Sequence, residues 1–150
     1  MNAKTNSKKD TDTKELNPFQ QIVHSAEASK LSPKATGKIQ YEVSLHQQEK
    51  QLYIHIAGQT DSGLFSKEWI PIDSVLTLIE AQKDNAFKSA IFRPLFKSGS
   101  SNNVSFFSSV MRNLGLIIKS DASIFLHQVS PDYAAKKKAL LAMAKPATKK

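Results

Sequence analysis

From Gly37 onward the chain alternates apolar and polar residues with a period of two, and this alternation constrains the architecture more than any motif does. Ile39, Tyr41, Val43 and Leu45 interleave with Gln40, Glu42 and Ser44. After a polar turn at 46–50, Leu52, Ile54 and Ile56 interleave with Tyr53 and His55. Successive side chains of a strand point to opposite faces, so two such runs joined by a short turn make an antiparallel hairpin with one buried face. A break at 58–63 leads to a third strand over 64–72, which carries the only Trp, Trp69. That strand belongs at a sheet edge, because Pro71 has no N–H to give to a ladder.

Past residue 72 the spacing becomes helical. Asp73 is placed to cap a helix to about residue 83, with Val75, Leu76 and Ile79 on its inner side. In 87–97, Phe87, Ala90 and Ile91 suit a helix, but Pro94 disfavours helical geometry at Arg93; a short broken helix is expected, with strand as the alternative. Asn102 or Asn103 caps a helix to residue 114 whose stripe is Phe106, Phe107, Val110, Met111 and Leu114, and Gly115 stops it. Segments 116–119 and 123–129 form a second hairpin around Ser120 and Asp121. Ser130, Pro131 and Asp132 then cap a basic helix over 131–144.

Upstream, Asn17 and Pro18 read as a cap and first helical residue, and Phe19, Ile22, Val23 and Ala26 give an amphipathic helix over 17–31. Residues 1–16 have almost nothing to bury and are expected to be a disordered basic tail, as is the Lys tail 145–150. The fold class is therefore α+β: antiparallel hairpins packed with four or five short helices. One α+β domain is expected over 37–130, flanked by helices 17–31 and 131–144.

Charge is distributed unevenly over this frame. Residues 1–38 carry a net +3 and residues 130–150 a net +5, while 39–129 sum to zero. Lysines in loose ends attract any polyanion, but a specific site has to come from the body. Within the body, 39–82 carries −4 and 83–129 carries +4. The second half also runs helix, helix, helix, hairpin, the order of a winged helix, in which the third helix enters the major groove. Helix 103–114 would then present Ser105, Ser108, Ser109, Arg112 and Asn113, with Lys88, Arg93, Lys97 and Lys119 around it and Lys136, Lys137 and Lys138 on the last helix. Nucleic acid is the expected partner, DNA ahead of RNA. The alternative is a protein-interaction adaptor or oligomerising subunit that uses the acidic first hairpin, with Phe65 and Trp69 as anchors. The outward positions of that hairpin, Gln40, Glu42, Ser44, His46, Tyr53 and His55, are too acidic for a single-strand platform.

Other chemistries find little support. There is no Cys, hence no disulfide, thiolate nucleophile or Cys-based metal site, which suits a reducing cytoplasmic setting. No apolar run approaches the roughly 20 residues that span a bilayer, and 1–15 has no apolar stretch of the kind a secretory signal needs. His46 and His55 lie on opposite strands and could approach, but two His without a third ligand are half a metal site. Gly99, Ser100 and Ser101 lack the lysine and the further glycines of a phosphate-cradling loop. No carboxylate dyad stands out. A non-enzymatic protein without a cofactor is expected.

Overall fold

A computed structural model describes residues 17–31, 36–60, 65–97 and 101–144. Their order is β1 (Ile22–Ser29), β2 (Lys38–Leu45), β3 (Leu52–Gln59), β4 (Ile70–Pro71), α1 (Ile72–Glu80), β5 (Phe87–Lys88), a 3-10 helix (Ser89–Leu95), α2 (Ser101–Asn113), β6 (Ile117–Ser120), β7 (Ser123–Val129) and α3 (Tyr133–Ala142). Mixed helices and antiparallel sheets make the fold α+β. The strands form two sheets, one ordered β1-β2-β3-β4 and one ordered β5-β7-β6.

The alternation at 39–56 builds the first sheet as its period requires. Ile39, Tyr41, Val43, Leu45, Leu52, Ile54 and Ile56 are all buried, and β2 pairs with β3 antiparallel, Val43 opposite Ile54. Pro71 does lie on an edge strand, opposite Tyr53, but β4 is two residues long rather than a strand from 64 to 72. Helix α1 starts one residue before the expected cap: Pro71 is the N-cap and Asp73 sits in the first turn, where its negative charge interacts favourably with the helix dipole. Ile72, Val75, Leu76 and Ile79 form its buried side.

The expected helix over 17–31 is instead a turn followed by a strand. Asn17 does accept a hydrogen bond from the Phe19 N–H at 2.9 Å, and the Gln20 N–H reaches the Asn17 carbonyl at 3.2 Å. The side-chain chemistry that caps helices also closes Asx turns, and here it closes a turn. Beyond it, Ile22–Ser29 pairs antiparallel with β2. Its four apolar positions made only a narrow helical stripe. At period two, His24, Ala26 and Ala28 lie opposite Val43, Tyr41 and Ile39, so pairing along the open edge of the hairpin prevails over local spacing.

The second half follows its spacing more closely. Residues 87–97 divide into a short strand and a 3-10 helix with Pro94 inside it, so both readings of that segment hold in part. Helix α2 ends in a Schellman motif at Gly115, whose φ is +82°. The Leu116 N–H bonds the Met111 carbonyl at 3.2 Å and the Gly115 N–H bonds Arg112 at 3.0 Å. Leu116 and Met111, the positions that such a motif pairs hydrophobically, are each 1% exposed. The hairpin β6–β7 turns at Asp121 and Ala122, next to the expected position. In α3 only Leu140 is buried. The expected tails 1–16 and 145–150 lie outside the described residues.

Candidate nucleic-acid interface

Helix α2 was expected to turn one polar face to solvent. Instead it is covered on two sides. Ser108 is 0% exposed and Ser109 2%. Tyr41 of β2 donates a hydrogen bond to Asn113 Oδ1 at 2.6 Å, and burial pushes the Tyr41 hydroxyl up to about 12. Asn103 Oδ1 accepts the Ser66 N–H at 2.7 Å, and Phe106 packs against Phe65 with ring centroids 6.2 Å apart. The first sheet and the segment before β4 therefore pack against α2, and Ser108 and Ser109 are buried rather than presented to solvent with Asn113.

Two cavities remain open along the helix. The larger, about 640 Å³, lies between α2, β7 and the start of the 3-10 helix and is lined by Lys30, Leu31, Lys88, Ser89, Ala90, Ser105, Phe106, Ser123, Phe125 and Leu126. Phe125 stands at it with 55% of its surface exposed. The smaller, about 280 Å³, is lined by Ser29, Lys30, Leu31, Ser109, Arg112 and Asn113. Lys30 and Leu31, just beyond β1, line both. The Lys30 ammonium lies 5.2 Å from the centroid of the Phe106 ring, a cation–π contact, and donates to Gln59 Oε1 at 3.0 Å.

A buried polar chain supports these walls. Arg112 Nε donates to His127 Nδ1 at 3.1 Å, and Arg112 Nη2 donates to the Leu126 carbonyl at 3.3 Å. A guanidinium can only donate, so Nδ1 of His127 is the bare nitrogen and Nε2 carries the proton. Nε2 therefore donates to Ser89 Oγ at 2.9 Å, which also accepts from Ser108 Oγ at 2.7 Å. Burial and then the neighbouring Arg112 charge press the His127 pKa down to about 4, and burial lowers that of Arg112 as well. The polarity is the reverse of a serine nucleophile, in which the histidine accepts the hydroxyl proton and a carboxylate holds its other nitrogen. Ser89, Ser108, His127 and Arg112 thus fasten the 3-10 helix, α2 and β7 together.

The sequence-derived site residues divide accordingly. Lys88 and Ser105 line the groove, and Ser109 and Arg112 line the adjoining cavity. Ser108 faces inward to Ser89. Arg93, Lys97 and Lys119 are exposed but line neither cavity. The α3 lysines lie elsewhere. Lys136 lays its alkyl chain over Gly115, where an added Cβ would come within 3.0 Å of it. Lys137 pairs with Glu80 at 2.7 Å, and Lys138 lines a separate cleft of about 750 Å³ with Glu80, Tyr133 and Leu141. Lys137 and the Tyr133 hydroxyl hold the Glu80 carboxyl below its usual range. Sequence reading missed Lys30, Phe106 as a groove wall, and Phe125; in a strand with His127 and Val129, Phe125 reads as another core residue.

The alternative anchors on the first hairpin have internal partners. Trp69 is stacked between Phe19, at 4.8 Å and 12°, and His55, at 3.5 Å and 10°. Phe19 also meets His46 and Tyr53 edge-on, and Ser44, read as outward, is buried with its hydroxyl on the Phe19 carbonyl at 2.8 Å. His55 Nε2 pairs with Glu42 at 2.9 Å rather than with His46. Among the described residues, no group of three or more His, Cys, Asp or Glu is placed to hold a metal, and no helix is long and apolar enough to cross a membrane. No protein family, curated protein or solved structure matches the chain, so the reading of this interface rests on its own geometry.

Proposed function

We propose that the protein binds nucleic acid without catalysing a reaction, DNA ahead of RNA, through the surface along α2 and the β6–β7 hairpin. The observation that carries this reading is the charge of the two cavities. Lys30, Lys88 and Arg112 line them, and among the described residues no carboxylate does. The three other cavities described each carry acids, Glu80 in two of them and Glu27 with Glu42 in the third. A concave, cationic, partly apolar site suits a polyanion that carries aromatic bases. The order α1, β5, 3-10 helix, α2, β6, β7 with strands paired β5-β7-β6 is compatible with a winged helix, and supports the reading as fold analogy only. The reading keeps the helix and hairpin and abandons insertion of α2 into a major groove. Exposed Lys136 and Lys138 would add attraction that is independent of sequence.

The test is the salt dependence of binding by the full chain. Affinity for an oligonucleotide should fall steeply from about 50 to 200 mM salt. Lys136→Gln with Lys138→Gln should reduce the slope of log affinity against log salt by about one to two units. Absence of binding to single and double strands at about 50 mM salt would defeat the proposal.

A second reading has one observation in its favour. The α1–α3 cleft is largely apolar at Ala134, Leu141 and Ala142, and Leu141 is 37% exposed. A protein-interaction role would use this cleft rather than Phe65 and Trp69, and would show as self-association or co-purification insensitive to salt.

A further inference from the structure

Building on the nucleic-acid reading, we infer that the groove between α2 and β7 takes an unpaired nucleobase against Phe125, with a phosphate of the same strand in the adjoining cavity. The site therefore selects unpaired strands over intact duplex.

Three observations lead there. Phe125 is a large aromatic left 55% exposed at the wall of a concave site, beside Leu126 and Phe106. A base offers a flat π-face of matching character, and stacking on an aromatic side chain tolerates any base. A duplex keeps its bases stacked on one another and presents only their edges, so it has no face to offer Phe125. The flanking structure adds a steric reason, because α2 is walled by the end of β1 on one side and the hairpin on the other.

The second observation is the position of Lys30 and Leu31, which line both cavities. A nucleotide lying across them has its base on the apolar side and its phosphate on the side that holds Arg112 and Ser109. Third, charge identifies the occupant. An apolar groove alone would suit a peptide equally well, but Lys30, Lys88 and Arg112, with no acid among the described lining residues, complement a phosphate backbone. The hydroxyls of Ser105 and Ser123 can bond to a base edge in either polarity, which again implies tolerance of sequence.

The experiment compares the full chain on an oligothymidylate of about 12 residues, within the usual length range of single-strand sites, and on a blunt duplex of the same length. Wild type should prefer the single strand. Phe125→Ala should weaken single-strand binding by roughly tenfold or more and leave duplex binding within about twofold, with the thermal midpoint unchanged. Phe125→Trp, which keeps a stacking face, should retain single-strand affinity, and its added emission should be quenched by the oligonucleotide. Preference for duplex, or equal losses on both strands in Phe125→Ala, or no loss on either, would overturn this inference while leaving the nucleic-acid reading in place. Binding to neither form would overturn both.

Discussion

On the outer face of the first sheet, Trp69 lies between Phe19 and His55, with Tyr53 and His46 around Phe19. On the groove beside α2, Phe125 keeps 55% of its surface open. Both surfaces are aromatic, and composition does not distinguish them. What differs is how the rings are used. In the first cluster each ring is another ring's partner and Glu42 engages His55, so the surface acts as a cap on the sheet. In the second, the ring shares a cavity with Lys30 and Lys88, and among the described residues no carboxylate lines it. An aromatic residue marks a binding surface when its neighbours leave its face uncovered.

Removing the capping ring should have the largest effect on stability. Trp69→Ala removes both stacked contacts and should cost about 3 kcal/mol, at the low end for a large aromatic because the ring is only partly buried. Chemical denaturation measures it, and a change below about 0.5 kcal/mol would move Trp69 to the list of binding residues and erase the contrast.

An effect of comparable size at its limit should follow from pH, through the chain that fastens the groove. His127 stays neutral in the fold down to about pH 4, whereas in the unfolded chain it takes up a proton near 6.5. Between those values the unfolded state binds more protons, so this contribution is fully present above pH 6.5 and is lost as pH falls towards 4. Its full size is up to about 3 kcal/mol, from about 1.4 kcal/mol per unit of displacement. His127→Gln should be less stable at neutral pH and should lose less stability on acidification than the wild type; equal acid slopes would contradict the buried, neutral assignment. The smallest stability effect belongs to Phe125→Ala, within about 0.5 kcal/mol, which separates a ring kept for a ligand from one kept for the fold.

Much of the fold was legible because its signals are local. Alternation at 39–56, the apolar stripe of α2 and the stop at Gly115 each depend on one short stretch of chain. The strand Ile22–Ser29 was not legible, because its partner β2 lies further along the chain and only pairing decides between two weak periodicities. The faces of α2 were misassigned for a related reason. Ser105, Ser108 and Ser109 are the same residue type on one polar-looking side, but two layers of structure cover the helix and leave each serine a different fate. The groove needs Lys30 after β1, Ser105 on α2 and Phe125 on β7, three elements far apart in the chain, so no spacing rule could assemble it.

The contrast between the two surfaces is tested most directly by mapping backbone amide shifts by NMR as oligothymidylate is added to the full chain. The account predicts shifts concentrated at Lys30 and Leu31, Lys88 to Ala90, Ser105, Ser109, Arg112 and Ser123 to Leu126, with the amides of Phe19, His46, Tyr53, His55 and Trp69 unmoved. Shifts centred on Trp69 and its neighbours, with the α2 groove silent, would contradict it.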